Sequence, residues 1–136
     1  MRFLHTSDWH LGKNLEGYSR LDEQELFLKE LVEIVEKNNI DMILLSGDVY
    51  DTMNPSANAE KLFYKYISIL SDNGKRPVII IAGNHDSSDR LFAVNPLAVE
   101  KGIIIIGTIN DIIPKGDYQY FNIINSGKGF VELEFK

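Results

Sequence analysis

Residues 41–51 read Asp41-Met42-Ile43-Leu44-Leu45-Ser46-Gly47-Asp48-Val49-Tyr50-Asp51, an apolar run that ends in a turn crowded with carboxylates. A run this short, bounded by turn residues, has the length of a buried strand and not of a helix. Working outward, the same design recurs. Residues 3–6 lead into Ser7-Asp8-Trp9-His10, residues 77–82 into Gly83-Asn84-His85-Asp86, and residues 103–106 are four isoleucines. The stretches between them have helical spacing. Residues 22–37 carry Leu26, Phe27, Leu31, Ile34 and Val35 as the expected buried stripe, with Ser19 or Asp22 as cap. Asn54-Pro55-Ser56 has the chemistry of a second helix start, and Leu62, Phe63, Tyr66, Ile67 and Leu70 give that helix an apolar face up to about Ser71. A shorter helix beginning near Ser87 is expected to be interrupted at Asn95-Pro96, because proline disfavours helical backbone in the residue before it. Strands alternating with helices predict an α/β fold with a mainly parallel sheet.

After Asn110 the rhythm changes. Tyr118, Tyr120 and Phe121 lead to Ile123-Ile124, a turn through Asn125-Ser126-Gly127-Lys128-Gly129 follows, and Val131, Leu133 and Phe135 then alternate with Glu132 and Glu134. This pattern predicts a β-hairpin. Lys136 follows directly, and the expectation is a larger enzyme truncated here, with the hairpin edge and one apolar face exposed and open to pairing with another copy. The chain has 136 residues without repeats, low-complexity tracts or linkers, so residues 1–136 read as part of one domain.

Composition narrows the function classes. Hydrophobic residues make up 44%, and 14 Lys+Arg stand against 20 Asp+Glu, a net charge of -6. That sign is wrong for holding nucleic acid by overall field, so a phosphate-bearing substrate requires local positive charge. The absence of cysteine excludes disulfides, thiolate metal sites and thiol catalysis. Only Phe3 and Leu4 separate Met1-Arg2 from polar His5, so no signal-peptide core is present. The apolar runs fall far short of the ~20 residues that cross a bilayer, and the expectation is a soluble cytoplasmic protein without a membrane partner.

Nearly all the chemically loaded residues sit in three turns at strand C-terminal ends: Asp8-Trp9-His10, Gly47-Asp48-Val49-Tyr50-Asp51 and Gly83-Asn84-His85-Asp86. A parallel sheet brings such ends together at one edge, where open α/β folds place their ligands. Carboxylates, an imidazole and an amide oxygen suit divalent metals, with Mn²⁺ or Fe²⁺ more natural than a thiolate-seeking ion and Zn²⁺ still open. A central Asp48 can bridge two metals ~3.5–4 Å apart, the arrangement used for in-line phosphoryl displacement. Two ions would bring the formal charge from -6 to roughly -2.

With these turns in view, the sequence resembles the calcineurin-like metallophosphoesterases, whose pattern is Asp-x-His, Gly-Asp-x-x-Asp, then Gly-Asn-His-Asp/Glu. Leu4-His5-Thr6-Ser7-Asp8-Trp9-His10-Leu11-Gly12, Ser46-Gly47-Asp48-Val49-Tyr50-Asp51, and the Gly83 turn followed by Ser88, Arg90 and Leu91 are similar to the SbcD nuclease subunits within that family. The resemblance implies a two-sheet sandwich flanked by helices, truncated in the second sheet. It implies that Asp8 and His10 bind a first metal, Asp48 bridges, Asn84 binds a second through its amide oxygen, and His85 faces the scissile phosphate with Asp51 orienting it. It also implies a Mn²⁺-dependent DNA exonuclease and endonuclease of repair and recombination, partnered by an SbcC-type ATPase. Pairing of two subunits through the helices that carry Phe63, Tyr66, Phe92 and Leu97 follows from the same source.

The family pattern continues with downstream histidines, and this chain has only His5, His10 and His85. By that scheme the first metal lacks one ligand and the second lacks two, so weak metal binding and little or no nuclease activity are expected of the chain alone. Two alternatives stay open: a phosphoesterase for small phosphodiesters or phosphoproteins, and a non-catalytic dimerising fragment.

Other residues have plainer readings. His5 is expected to be packed and hydrogen-bonded within its strand, and Asp86 to cap or support rather than ligate. Arg90 has two readings, substrate phosphate contact or surface ion pair, and Trp9 likewise, a stacking surface or a lid over the sheet edge. Lys13 follows Gly12 without the Gly-x-x-x-x-Gly-Lys pattern of a nucleotide-binding loop. Lys128 belongs to the hairpin turn.

Overall fold

The computed structural model describes residues 1–92 and 95–136, and the side chains outside 92–97. Four strands, β1 (Phe3–Thr6), β4 (Met42–Ser46), β5 (Val78–Ile81) and β6 (Ile103–Ile106), form a parallel sheet in that spatial order. Each connection crosses over through helix: α1 (Leu21–Lys37), α2 (Ala57–Leu70), then α3 (Ser88–Phe92) with α4 (Asn95–Glu100). Two small sheets complete the fold, one of β2 (Asn14–Leu15) and β3 (Tyr18–Ser19), the other of β7 (Gly116–Asp117), β8 (Phe121–Gly127) and β9 (Phe130–Phe135).

The inner strands are nearly continuous β-branched and leucine runs because both of their faces are covered. On one face Ile43, Leu45, Val78, Ile80, Ile103 and Ile105 form a core with Leu28, Leu31 and Val35 of α1 and with Phe63, Ile67 and Leu70 of α2. On the other, Ile79 and Ile104 pack with Phe121 and Ile123 of the hairpin. The register sets Ile43 beside Val78 and Val78 beside Ile103, so these strands end level with one another. Among the described residues no helix is long and apolar enough to cross a membrane.

Several expectations need correction. In α1, Leu26, Phe27 and Ile34 are exposed, and Leu28 is buried in their place with Leu31 and Val35. The helix carries two apolar ridges, and periodicity alone does not say which one meets the sheet. Arg20 occupies the α1 N-cap position without a side-chain cap, although the Ser19 hydroxyl accepts the Leu21 N–H at 3.3 Å. The interruption expected at Asn95-Pro96 adjoins residues 93–94, which lie outside the described residues; α3 ends at Phe92 and Asn95-Pro96 starts α4, whose first turn needs no proline N–H. The hairpin turn is tighter than expected: β8 runs through Ser126 to Gly127, leaving Lys128-Gly129 as a two-residue turn with Gly129 at φ 79°. Its apolar face is largely covered, because Phe121 and Ile123 bury against the parallel sheet with Val131 and Leu133 beside them, whereas Phe135 stays exposed on β9, the edge strand of its own sheet. Phe63 and Tyr66 are buried in the chain's own core, and the Phe92 and Leu97 side chains lie outside the described residues.

Ser56 caps α2 as expected, its hydroxyl accepting the Ala59 N–H. At the opposite end of the fold, Arg76 was not singled out by sequence. Its buried guanidinium donates to the carbonyls of Ile40 and Leu70, both at 2.8 Å, and to Glu36 at 3.1 Å, tying the ends of α1 and α2 to the start of β5. Arg76→Ala should lower the unfolding free energy by about 2–4 kcal/mol in urea titration, because two carbonyls lose their donors. A change below about 0.5 kcal/mol would contradict this reading of the knot.

Asp111 closes the turn after β6, accepting the N–H groups of Gly107 and Thr108 and the Thr108 hydroxyl. The Thr108 backbone bond, foremost, holds its carboxyl below the ordinary range. A depressed carboxylate contributes stability above its unfolded pKa and loses it as pH falls through the folded value. Replacing Asp111 with Ala should therefore cost stability at pH 7 and flatten the acid limb below about pH 4, measured as urea midpoints.

Candidate metal centre

Backbone pairing between β1 and β4 does not stop where the strands end. Asp8 N–H donates to Gly47 carbonyl at 3.1 Å, His10 N–H to Asp48 carbonyl at 2.9 Å, Leu11 N–H to Val49 carbonyl at 2.9 Å, and Asp51 N–H returns to Leu11 carbonyl at 3.1 Å. The first two loaded turns are thus zipped together. Asp8, His10 and Asp48 all adopt left-handed backbone, at φ 56°, 45° and 50°. Such conformations are uncommon for residues with a Cβ and are held here by these hydrogen bonds.

The third turn joins by exchange. His85 N–H donates to Asp48 Oδ1 at 2.9 Å. In return, the buried Asp86 carboxylate accepts Val49 N–H at 3.1 Å and Tyr50 N–H at 2.9 Å, and also Gly83 N–H at 2.8 Å within its own turn. The two turns approach so closely that a Cβ on Gly47 would lie 2.9 Å from Gly83 Cα, and a Cβ on Gly83 would collide with the Asp48 amide and carboxylate. Glycine is required at both positions.

One ligand atom from each of Asp8, His10 and Asp48 lies within 4.8 Å of the others. His10 Nε2 is 3.6 Å from Asp8 Oδ1 and 3.7 Å from Asp48 Oδ2, and Asp51 Oδ1 is 3.3 Å from His10 Nδ1. Three carboxylates surround one imidazole, a negative concentration that calls for a cation. Two hard oxygens and a borderline nitrogen this close together fit a divalent metal.

His85 and Asn84 stand exposed at the rim, with the His85 ring 5.5 Å from that of His10 and edge-on to it. Among the described residues no hydrogen bond joins Asp51 to His85. Arg90 pairs with Glu60 at 3.3 Å and with the Asn54 side chain, while remaining partly exposed. Trp9 is buried, its Nε1–H donating to Thr6 Oγ1 at 3.0 Å and its ring edge-on to Phe27, so it offers no stacking surface. His5 bonds Ser46 Oγ at 2.8 Å but is exposed rather than packed. Burial pushes the Tyr50 hydroxyl pKa well above its usual value.

Gln24 was missed by sequence. Its amide donates to the His10 carbonyl at 2.8 Å and accepts Gly12 N–H at 3.0 Å, bracing the first turn from α1. A glutamine in the second turn of a helix carries no signal of such a role.

The profile of the calcineurin-like phosphoesterase family matches residues 1–132. The chain is 60% identical over 107 residues to the SbcD protein of the SbcCD nuclease from Bacillus subtilis (strain 168), covering 79% of this chain and 27% of that protein. It is 39% identical over 111 residues to the corresponding SbcCD nuclease protein of Rhodobacter capsulatus, covering 81% and 27%. With that of Staphylococcus epidermidis it shares 36% identity over 142 residues, covering 100% and 37%. The chain therefore spans between about a quarter and two fifths of the length of these relatives.

Asp86→Asn places an amide NH₂ against backbone donors that now meet a carboxylate oxygen. Urea titration should show a loss of about 2–4 kcal/mol, and an unchanged midpoint would contradict the clasp between the turns.

Proposed function

Because this chain belongs to the calcineurin-like phosphoesterase family, we propose that it forms the N-terminal part of a metal-dependent nuclease domain that hydrolyses DNA phosphodiester bonds in repair and recombination. One observation carries the reading: the Asp8, His10 and Asp48 ligand atoms cluster within 4.8 Å at the sheet edge, beside the turn that presents Asn84 and His85. Asp8 and His10 would hold a first divalent ion, Asp48 would serve both ions, and Asn84 would contribute to a second; Mn²⁺ is compatible with the donors and is the ion the family resemblance implies. When bound, such ions supply Lewis acidity and positive charge at the phosphoryl group.

The chain's own residues do the rest. His85, exposed at the rim, faces the scissile phosphate and donates a proton to the departing oxygen. The open cleft beside Asp8, roughly 330 Å³, is lined by Lys13 and by Arg20, which is paired with Glu23, so among the described residues Lys13 is the cation it has free for an anionic backbone, and the bound ions supply the remaining positive charge. Arg90, on the helix that follows the Asn84-His85 turn, adds a cation once released from Glu60. The partners in this reading are DNA and an SbcC-type ATPase, in the cytoplasm. The B. subtilis relative carries the name of one component of such a complex.

Pairing of two copies belongs to the same proposal. Between α2 and the α4–β6 segment lies an apolar groove of about 210 Å³, floored by the buried core residues Phe63, Ile67, Ile103 and Ile105 and edged by Tyr64 and Lys101. Sedimentation velocity should show a dimer at micromolar concentration, and a strictly monomeric chain at the highest concentrations would remove this part.

Mn²⁺ titration by calorimetry tests the centre. The expected result is at least one weak site, abolished by Asp48→Asn. Heat that is unchanged in Asp48→Asn would place the metal elsewhere and overturn the reading.

A further inference from the structure

The His10 backbone is held at both its N–H and its carbonyl. Its N–H is bonded to Asp48 carbonyl, and its own carbonyl accepts from Lys13 N–H at 3.2 Å and from the Gln24 amide at 2.8 Å. With the backbone held, what decides the ring is which nitrogen carries the proton, since a neutral imidazole has one N–H and one lone pair. Nε2 faces Asp8 and Asp48 at 3.6 and 3.7 Å. Nδ1 is buried and has no hydrogen-bond partner among the described residues, yet Asp51 Oδ1 lies only 3.3 Å away. A buried polar atom left unpaired is costly, and a lone pair aimed at a carboxylate is costlier still.

We infer that Asp51 is a positioning residue for His10: its carboxylate takes the Nδ1–H and thereby turns the Nε2 lone pair toward the point between Asp8 and Asp48. The role differs from the one implied by resemblance, in which Asp51 orients His85. Asp51 is suited to it by backbone as well as by side chain. Its N–H is bonded to the carbonyl of Leu11, the residue next to His10, so the backbones of Asp51 and His10 are tied into one zipped turn. The 3.3 Å separation closes to a hydrogen bond with a small rotation of the ring or carboxylate, of the kind that metal-ligating histidines undergo when their other nitrogen is engaged.

The inference rests on the proposed metal-dependent reading, and its test separates the two. Long-range ¹H–¹⁵N NMR of the metal-free chain reports the tautomer directly, and three histidines can be assigned with His5→Gln and His85→Gln. At a pH where the imidazoles are neutral, His10 should be the Nδ1–H tautomer, and Asp51→Ala should convert it to a mixture with Nε2–H. An Nε2–H tautomer in the unmodified chain, or a tautomer indifferent to Asp51→Ala, overturns the inference whether or not metal binds. Calorimetry with Mn²⁺ is the second arm: Asp51→Ala should weaken binding by roughly 10–100-fold, and Asp51→Asn, which keeps an acceptor oxygen, by less. Unchanged affinity in Asp51→Ala overturns it as well. No Mn²⁺ binding by the unmodified chain defeats the metal reading, while the tautomer still decides the role of Asp51.

Discussion

Two carboxylates each accept backbone N–H groups from the other's turn, and the arrangement of the site depends on that exchange. Asp48 receives the N–H of His85, and Asp86 receives those of Val49 and Tyr50. Neither turn belongs to a helix or a strand, so the amides of Val49, Tyr50 and His85 find no partner within their own turns, and burying them unpaired would be costly. Charged acceptors give the strongest bonds available for the purpose. The Gly47–Gly83 contact follows from the same approach, since any side chain at either residue would push the turns apart.

The clasp also explains the left-handed backbone at Asp8, His10 and Asp48. A side chain that continues the pleat of a strand points to one sheet face or the other and not over the edge. Reversing φ at these positions swings carboxylate and imidazole out over the strand ends, where they meet. The backbone ladder between residues 8–11 and 47–51 holds this unfavourable geometry in place. The resulting crowd of negative charge, open to water at Asp8 but buried at Asp48, becomes favourable once a cation sits among the oxygens.

The parallel sheet and its crossovers were readable because each inner strand is an apolar run terminated by Gly, Asp or Asn, with periodic helices between. The three loaded turns were readable for the same reason, and their meeting followed from strand polarity alone. What was not readable has physical causes. Leu28 and Leu26 are indistinguishable as leucines, and only the sheet decides which ridge of α1 is buried. The hairpin's inner face found cover against Ile79 and Ile104, a long-range contact that strand alternation cannot announce. Gln24 and Arg76 work through backbone carbonyls and amides, which have no residue-type signature, whereas the supporting role of Asp86 was readable but not its partners Val49 and Tyr50. The approach of Asp51 to His10 depends on a turn geometry of a few tenths of an ångström.

The central claim is that these three turns assemble a centre for a divalent cation, and crystallography with anomalous scattering tests it most directly. Crystals soaked in Mn²⁺ should show a manganese peak between the Asp8 and Asp48 carboxylates, with His10 bound through Nε2. Manganese bound at other surface carboxylates while this cluster stays empty would contradict the account.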